Sequence, residues 1–123
     1  MAIPVLKVED FLNEGILQET ADIHGLSTEE ITDLIENPEN PKNLNIRAEN
    51  YLSIRLGNRV TGLSEGNWKT LKEYYIQWKL YESVELEKET EDKKKTLDDL
   101  IKGILSMNLN TQGEKKIPGI MKF

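Results

Sequence analysis

The sequence contains no cysteine and only one histidine, His24. Without cysteine there are no disulfide bonds or thiolate metal sites, and the redox environment of the protein is left open. His24 lies near Asp22 in a glycine-flanked turn that contains no nucleophile, which favours a solvent-exposed residue over a catalytic base. The sequence also lacks a P-loop, a dinucleotide-binding glycine fingerprint, a nucleophile elbow and an HExxH motif. We therefore expect no enzymatic activity, no cofactor and no metal site.

Long apolar runs are missing as well. No segment approaches the roughly 20 apolar residues that cross a bilayer, and the N-terminus does not resemble a secretory signal. The net charge is −6, with 22 acidic and 16 basic side chains, which argues against a surface built to bind phosphates. The one lysine cluster, Lys93–Lys95, is flanked by acidic residues. We expect a soluble protein that is made in the cytoplasm and has no membrane or sequence-specific DNA partner.

The residues that are present predict one helical domain. The chain has 123 residues, of which 37% are hydrophobic and 31% charged, as in globular proteins. We expect an all-α fold, a small bundle of four to five helices over residues 1–107, followed by an extended C-terminal tail over 108–123. Residues 1–6, which include Pro4, are expected to form an extended N-terminal arm.

Several short helices are predicted before the centre of the chain. One covers Val8–Asn13, and a capping box at Ser27 and Glu30 begins another. The NPENP segment at 37–41 interrupts the pattern, because proline cannot continue a helix. A longer helix follows over Asn45–Asn58. Its apolar face carries Leu44, Ala48, Tyr51, Leu52 and Leu56.

The stretch Trp68–Val84 organises the rest of the chain. It holds both tryptophans and three of the four tyrosines, and it contains no proline or glycine. At 3.6 residues per turn, one side carries an aromatic stripe, and the other carries a narrower apolar stripe of Ile76, Leu80 and Val84. A helix that is apolar on two sides is buried between partners. The second stripe is therefore a candidate subunit interface, although packing against N-terminal segments of the same chain explains it equally well.

The central helix and the last helix are predicted to form a long antiparallel hairpin, over about 67–86 and 91–107, with the turn near Glu87–Thr90. In the last helix, Asp98 is expected to face water. The tail beyond it is apolar, so it either packs on its own domain or reaches a neighbouring subunit. Its candidate interface residues are Ile117, Ile120, Met121 and Phe123.

Arg55 projects from the middle of an apolar helix face. Its methylenes can cover apolar surface while the guanidinium reaches water. The alternative is a buried ion pair, because an unpaired buried charge is very costly. Glu82 is the preferred candidate partner, and Asp22 is the second choice.

Several segments resemble the small helical head–tail connector proteins of long-tailed phages, also called adaptor or head-completion proteins, and in particular a Mu-like group. Ile16–Asp22, ILQETAD, is similar to that group's leucine-x-x-leucine-threonine-aspartate segment. The similarity is clearest in ENYLSIRLG, Glu49–Gly57. There the family has a helix with Tyr-Leu followed by Arg, matched by Tyr51, Leu52 and Arg55.

The resemblance continues along the hairpin and covers about residues 8–109. LKEYYIQWKLYE, at 71–82, is similar to the family's aromatic third helix. LDDLIKGILSMN, at 97–108, is similar to its closing helix, in which Leu100 or Ile101 and Gly103 fit. The NPENP break and the C-terminal tail depart from the family pattern.

This resemblance implies a structural virion protein without enzymatic activity. Such proteins form a homo-oligomeric ring, typically dodecameric, beneath the portal protein, where the ring extends the DNA channel and docks a neck or tail-completion protein. The implied location is the head–tail neck of the virion, after synthesis in the host bacterial cytoplasm. The alternative interpretation is a small acidic helical regulatory or protein-interaction module.

Overall fold

A computed structural model of the chain describes residues 3–14 and 27–113. These residues form four α-helices and no strand, which confirms the predicted all-α fold. The helices are α1 (Thr28–Glu36), α2 (Leu44–Leu56), α3 (Glu65–Ser83) and α4 (Glu87–Gly113). Two 3-10 helices, Val8–Glu14 and Gly57–Gly62, precede α1 and α3. No helix in the described part of the chain is long and apolar enough to cross a membrane.

The described part of the N-terminal arm, residues 3–7, forms neither helix nor strand, and the side chain of Asn45 holds it in place. The Leu6 N–H donates to Asn45 Oδ1 at 2.9 Å, and Asn45 Nδ2 donates to the Leu6 carbonyl at 2.9 Å. The same Nδ2 donates to the Ile35 carbonyl at 2.8 Å, which joins the arm to the end of α1. Leu6 and Phe11 are buried. One amide side chain therefore satisfies backbone groups from two separate segments.

Polar side chains cap the first turns of α1 and α2, the two helices that flank the 37–43 turn. α1 begins at the predicted capping box, in which the Glu30 N–H donates to Ser27 Oγ and the Ser27 N–H donates to the Glu30 carboxylate. Asn43 caps α2 by accepting from the Ile46 N–H at 2.9 Å, and its Nδ2 donates to the Asn37 carbonyl at 2.7 Å. The NPENP segment is therefore a turn that places α2 against α1.

The predicted hairpin is formed by α3 and α4, but its turn is shorter and earlier than expected. Ser64 caps α3, and the chain reverses over 84–86, where Glu85 has a φ of 62°. α4 begins at Glu87, so the prediction of a turn at Glu87–Thr90 is wrong. Acidic side chains are favourable in the first turn of a helix, where they meet the positive end of the helix dipole, and the run of glutamates therefore starts α4.

α4 also ends later than predicted. It continues to Gly113, so residues 108–113 are helical where an extended tail was expected. No proline or glycine interrupts this segment before Gly113. α4 has 27 residues and α3 has 19, so the last turns of α4 extend beyond the start of α3.

α3 is the centre of the core, as its two-sided pattern predicted. The arm, the first 3-10 helix, α1, α2 and α4 all contribute side chains to one cluster around it. The buried residues of α3 are Trp68, Leu71, Lys72, Tyr75, Ile76, Gln77, Trp78, Leu80 and Tyr81.

Candidate interaction surfaces

The second stripe of α3 is buried within its own chain. Ile76, Leu80 and Val84 are 0%, 1% and 5% exposed. Their prediction as a candidate interface with a neighbouring subunit is therefore wrong. Leu80 lines a groove together with Leu34 and Leu44, so the alternative, packing against N-terminal segments, explains the stripe.

The predicted tail interface and the possible histidine site lie outside the described residues. The interface residues concerned are Ile117, Ile120, Met121 and Phe123, and they stay a prediction. His24 and Asp22 also lie outside this part of the chain. Among the described residues, no group of three His, Asp or Glu side chains is placed to hold a metal ion.

Arg55 forms its ion pair with a residue that the sequence did not indicate. Its Nη2 donates to Asp98 Oδ1 at 2.6 Å, and its Nη1 donates to the Tyr51 hydroxyl at 2.6 Å. The predicted partner Glu82 is 54% exposed and lies 3.3 Å from Lys79 instead. The prediction of an Arg55–Glu82 pair is wrong because the Arg55 face of α2 meets α4 at Asp98, whereas Glu82 lies at the far end of α3.

The Arg55–Asp98 pair is partly exposed rather than buried. The two side chains are 31% and 36% exposed, so the alternative of a buried ion pair is wrong, and Arg55 reaches the surface while it pairs with Asp98. Asp98, which was expected to face water, lies between Arg55 and Lys102. Hydrogen bonds from Arg55 and Lys102 hold the pKa of Asp98 below its ordinary value, and Asp98 raises the pKa of Arg55. The pair links α2 to α4 across the side of the bundle.

Lys72 is the most deeply buried charged side chain in the described residues, and its role was not predicted. It is 0% exposed, and its Nζ donates to Glu49 Oε2 at 2.8 Å and to the Pro4 carbonyl at 2.6 Å. The ammonium thereby joins the arm, α2 and α3. A signal was present in the sequence, because Lys72 precedes Ile76 by four residues and continues the second stripe.

The aromatic stripe of α3 lies in the hydrophobic core, as predicted, and lysine ammonium groups lie close to some of its rings. The rings of Tyr51, Tyr75 and Trp78 pack with centroids 5.2 to 5.6 Å apart. The Lys79 ammonium lies 4.1 Å from the Trp78 ring centroid, and Lys94 lies 5.6 Å from it. Burial raises the pKa of Tyr75. Since lysines lie over the rings and the residues are buried, this cluster is no platform for stacking bases.

The arm runs antiparallel to α2. Leu6 is bonded to Asn45, while Pro4, two residues earlier, meets Lys72, which also binds Glu49. The order of contacts along the arm is thus the reverse of the order along α2.

Four large apolar side chains are exposed on α2 and on the N-terminal arm. Ile54 and Val5 are 82% and 67% exposed, and Ile46 and Ile3 are exposed as well. Ile46 and Ile54 lie about two helical turns apart along α2 and roughly 80° apart around it, both away from its buried side, while Ile3 and Val5 lie on the arm. We call the exposed surface of α2 that carries Ile46 and Ile54 the outer apolar face. Clustered apolar residues at the surface mark an interaction site more often than scattered ones do.

A groove with basic residues at its edge lies between α1, α2 and α3. Its volume is about 330 Å³. Three leucines form its apolar part, and the other described residues of its lining are three cations, one carboxylate and one serine. The residues of this basic groove are Leu34, Lys42, Leu44, Arg47, Lys79, Leu80, Glu82 and Ser83.

The turn between α3 and α4 is acidic, in contrast to the basic groove. Glu82, Glu85, Glu87 and Glu91 line a cavity of about 550 Å³ with Thr90, and no cation among the described residues contributes to its lining. Glu85 and Glu87 are exposed, and neither forms an ion pair with another described residue. We call the segment 85–87 the acidic turn.

No protein-family model, curated protein or solved structure matches this chain. A functional proposal for it rests on its residues, their geometry and the family resemblance of its motifs.

Proposed function

We propose that this protein is a structural subunit of a phage head–tail connector. In this proposal, copies of the chain form a closed ring beneath the portal protein, extend the DNA channel and dock a neck or tail-completion protein. The ring belongs to the virion and carries out no chemistry. The resemblance of the Tyr51–Arg55 segment and of the hairpin to connector proteins suggests the role.

The outer apolar face is the observation that carries the proposal. Ile54 is 82% exposed on a helix whose opposite side is well packed. Burying such a side chain against a partner contributes roughly 1.5–3 kcal/mol, which makes this face the strongest candidate for a subunit contact in the described residues. The packed core of four helices behind this face suits a protein that holds its neighbours in fixed positions and carries out no reaction.

The Arg55 segment supports the same role from inside the molecule. Tyr51 and Arg55, which match the family segment, connect α2 to α4 through the hydroxyl and through Asp98. The matching residues therefore fix the relative positions of helices. We infer that the Tyr51–Arg55 segment, which resembles the family motif, has a structural role in this chain.

The net charge of −6 fits a DNA channel. An acidic surface repels the phosphate backbone, so DNA passes without being retained. No sequence-specific DNA contact is part of the proposal.

The proposal is tested with the portal protein of the same phage. The wild-type chain is expected to co-sediment with portal rings, and Ile54→Asp is expected to lose this binding or the ring contact, because a carboxylate cannot be buried there without a partner. Thr70→Asp is the matched control, since it places the same charge at an exposed position of α3, outside the outer apolar face. Equal co-sedimentation of both variants would contradict the assignment of the outer apolar face. A wild-type chain that never binds the portal would contradict the connector role and favour the regulatory or protein-interaction module.

A further inference from the structure

The basic groove is a concentration of positive charge on an acidic protein. Lys42, Arg47 and Lys79 surround it, against the single carboxylate of Glu82, although the whole chain has a net charge of −6. Lys42 has no ion-pair partner among the described residues. Its ammonium is therefore available to a carboxylate from another molecule.

The apolar part of the groove strengthens the attraction of these cations for a carboxylate. Leu44 and Leu80 are buried beneath the rim, and the cavity they line with Leu34 extends between three helices. Charges beside an apolar wall are less well screened than charges on an open surface. The groove is thus suited to a short acidic segment whose carboxylates meet the rim.

The acidic turn has the complementary chemistry. Glu85 and Glu87 lie at the end of the hairpin, and both are exposed and form no ion pair with another described residue. The acidic turn of the same chain does not line the basic groove. Each molecule therefore carries an unneutralised acidic turn and a groove that its own turn does not fill.

We propose that the acidic turn of one copy docks in the basic groove of a second copy. Glu85 and Glu87 of one molecule then face Lys42 and Arg47 of the next, so that every subunit supplies one turn and one groove. This inference rests on the proposed function, because it takes the neighbour to be a second copy of the same chain. The contact between subunits would then have two parts, the outer apolar face and this pairing of opposite charges.

Charge reversal tests the contact in solution. The groove variant Lys42→Glu/Arg47→Glu and the turn variant Glu85→Lys/Glu87→Lys are each expected to weaken self-association at low salt by roughly tenfold or more. An equimolar mixture of the two reversed variants pairs one intact turn with one intact groove and is expected to associate again. Lys69→Glu, at an exposed position of α3 outside the groove, is the control and should leave association unchanged. Circular dichroism and thermal unfolding establish that each variant is folded.

Cysteine cross-linking tests the geometry directly, since the chain has no cysteine of its own. Lys42→Cys and Glu87→Cys are placed on separate chains, which are mixed on portal rings and oxidised. The expected product is the mixed 42–87 dimer, in large excess over the 42–42 and 87–87 dimers. Rings that form normally but give the three dimers in the proportions of random collision would overturn this inference and leave the connector role standing. If neither rings nor cross-links form, both proposals fail.

Discussion

The Lys72 ammonium lies 2.8 Å from the Glu49 carboxylate, although the Lys72 side chain is fully buried. Its second acceptor, the Pro4 carbonyl, belongs to the N-terminal arm. A buried ammonium is tolerated only when its donors find acceptors, so the arm and α2 are fixed to α3 by the need to satisfy one charge.

Glu49→Ala is expected to lower the free energy of unfolding by about 2–3 kcal/mol, because it leaves the Lys72 ammonium with one neutral acceptor. Lys72→Met on the Glu49→Ala background is expected to recover a large part of this loss, since an apolar side chain of similar length fills the site. Urea unfolding of the single and double variants measures both effects. A double variant less stable than Glu49→Ala would show that the ammonium itself stabilises the fold.

Asn45→Ala is expected to lower the free energy of unfolding by about 2 kcal/mol, because the Leu6 N–H and carbonyl lose their partner and the Ile35 carbonyl keeps only the bond from Asn43. Hydrogen exchange at Leu6 should increase more than exchange in α3, since Asn45 provides the bond to that N–H. Asn50→Ala, at an exposed position of the same helix, is the control. Unchanged exchange at Leu6 would mean that the arm is held by its side chains alone.

The Arg55–Asp98 pair predicts a pH-dependent contribution to stability. The pKa of Asp98 is lowered in the folded state by Arg55 and Lys102. The group therefore stabilises the fold above its unfolded pKa, and this contribution is lost as the pH falls through the lower, folded pKa. The difference in urea midpoint between wild type and Asp98→Asn should be largest near neutral pH and should shrink in acid. A difference that is independent of pH would exclude the charge of Asp98 as its cause.

Glu85 occupies a backbone conformation that favours glycine, with a φ of 62°. Glu85→Gly is expected to raise the free energy of unfolding by up to about 1 kcal/mol, because the steric cost of Cβ in this conformation is removed. The same variant should weaken association between copies, since it removes one carboxylate of the acidic turn. Thermal unfolding and sedimentation velocity separate the two effects. A less stable Glu85→Gly protein would contradict the claim that the backbone conformation of Glu85 lowers the free energy of unfolding.

Local patterns in the sequence predicted the all-α fold, the cap of α1 and the hairpin, but not the bounds of α4. The Ser27–Glu30 capping box, the break at 37–41 and the two-sided character of α3 depend on neighbours within one or two turns, and all three are present in the structure. The start of α4 was misjudged because the acidic run was taken as a turn, whereas its charge favours a helix N-terminus.

Contacts between helices were predicted less well. Which carboxylate meets Arg55 depends on how α2 and α4 are aligned, and no periodicity within either helix encodes that alignment. The position of Lys72 in the second stripe indicates that it is buried, but the stripe does not indicate its acceptors, which lie on the arm and α2. The burial of the second stripe of α3 was predicted, but its partner was not. A periodic apolar pattern does not distinguish packing against a segment of the same chain from packing against another subunit.

The central claim, that copies of this chain form a ring on a portal, is tested most directly by electron microscopy of portal particles incubated with the protein. The proposal predicts an additional closed ring of density on the tail-facing end of the portal, with the portal symmetry and a continuous central channel. Bare portal particles at saturating protein, with the chain folded and monomeric in solution, would contradict it.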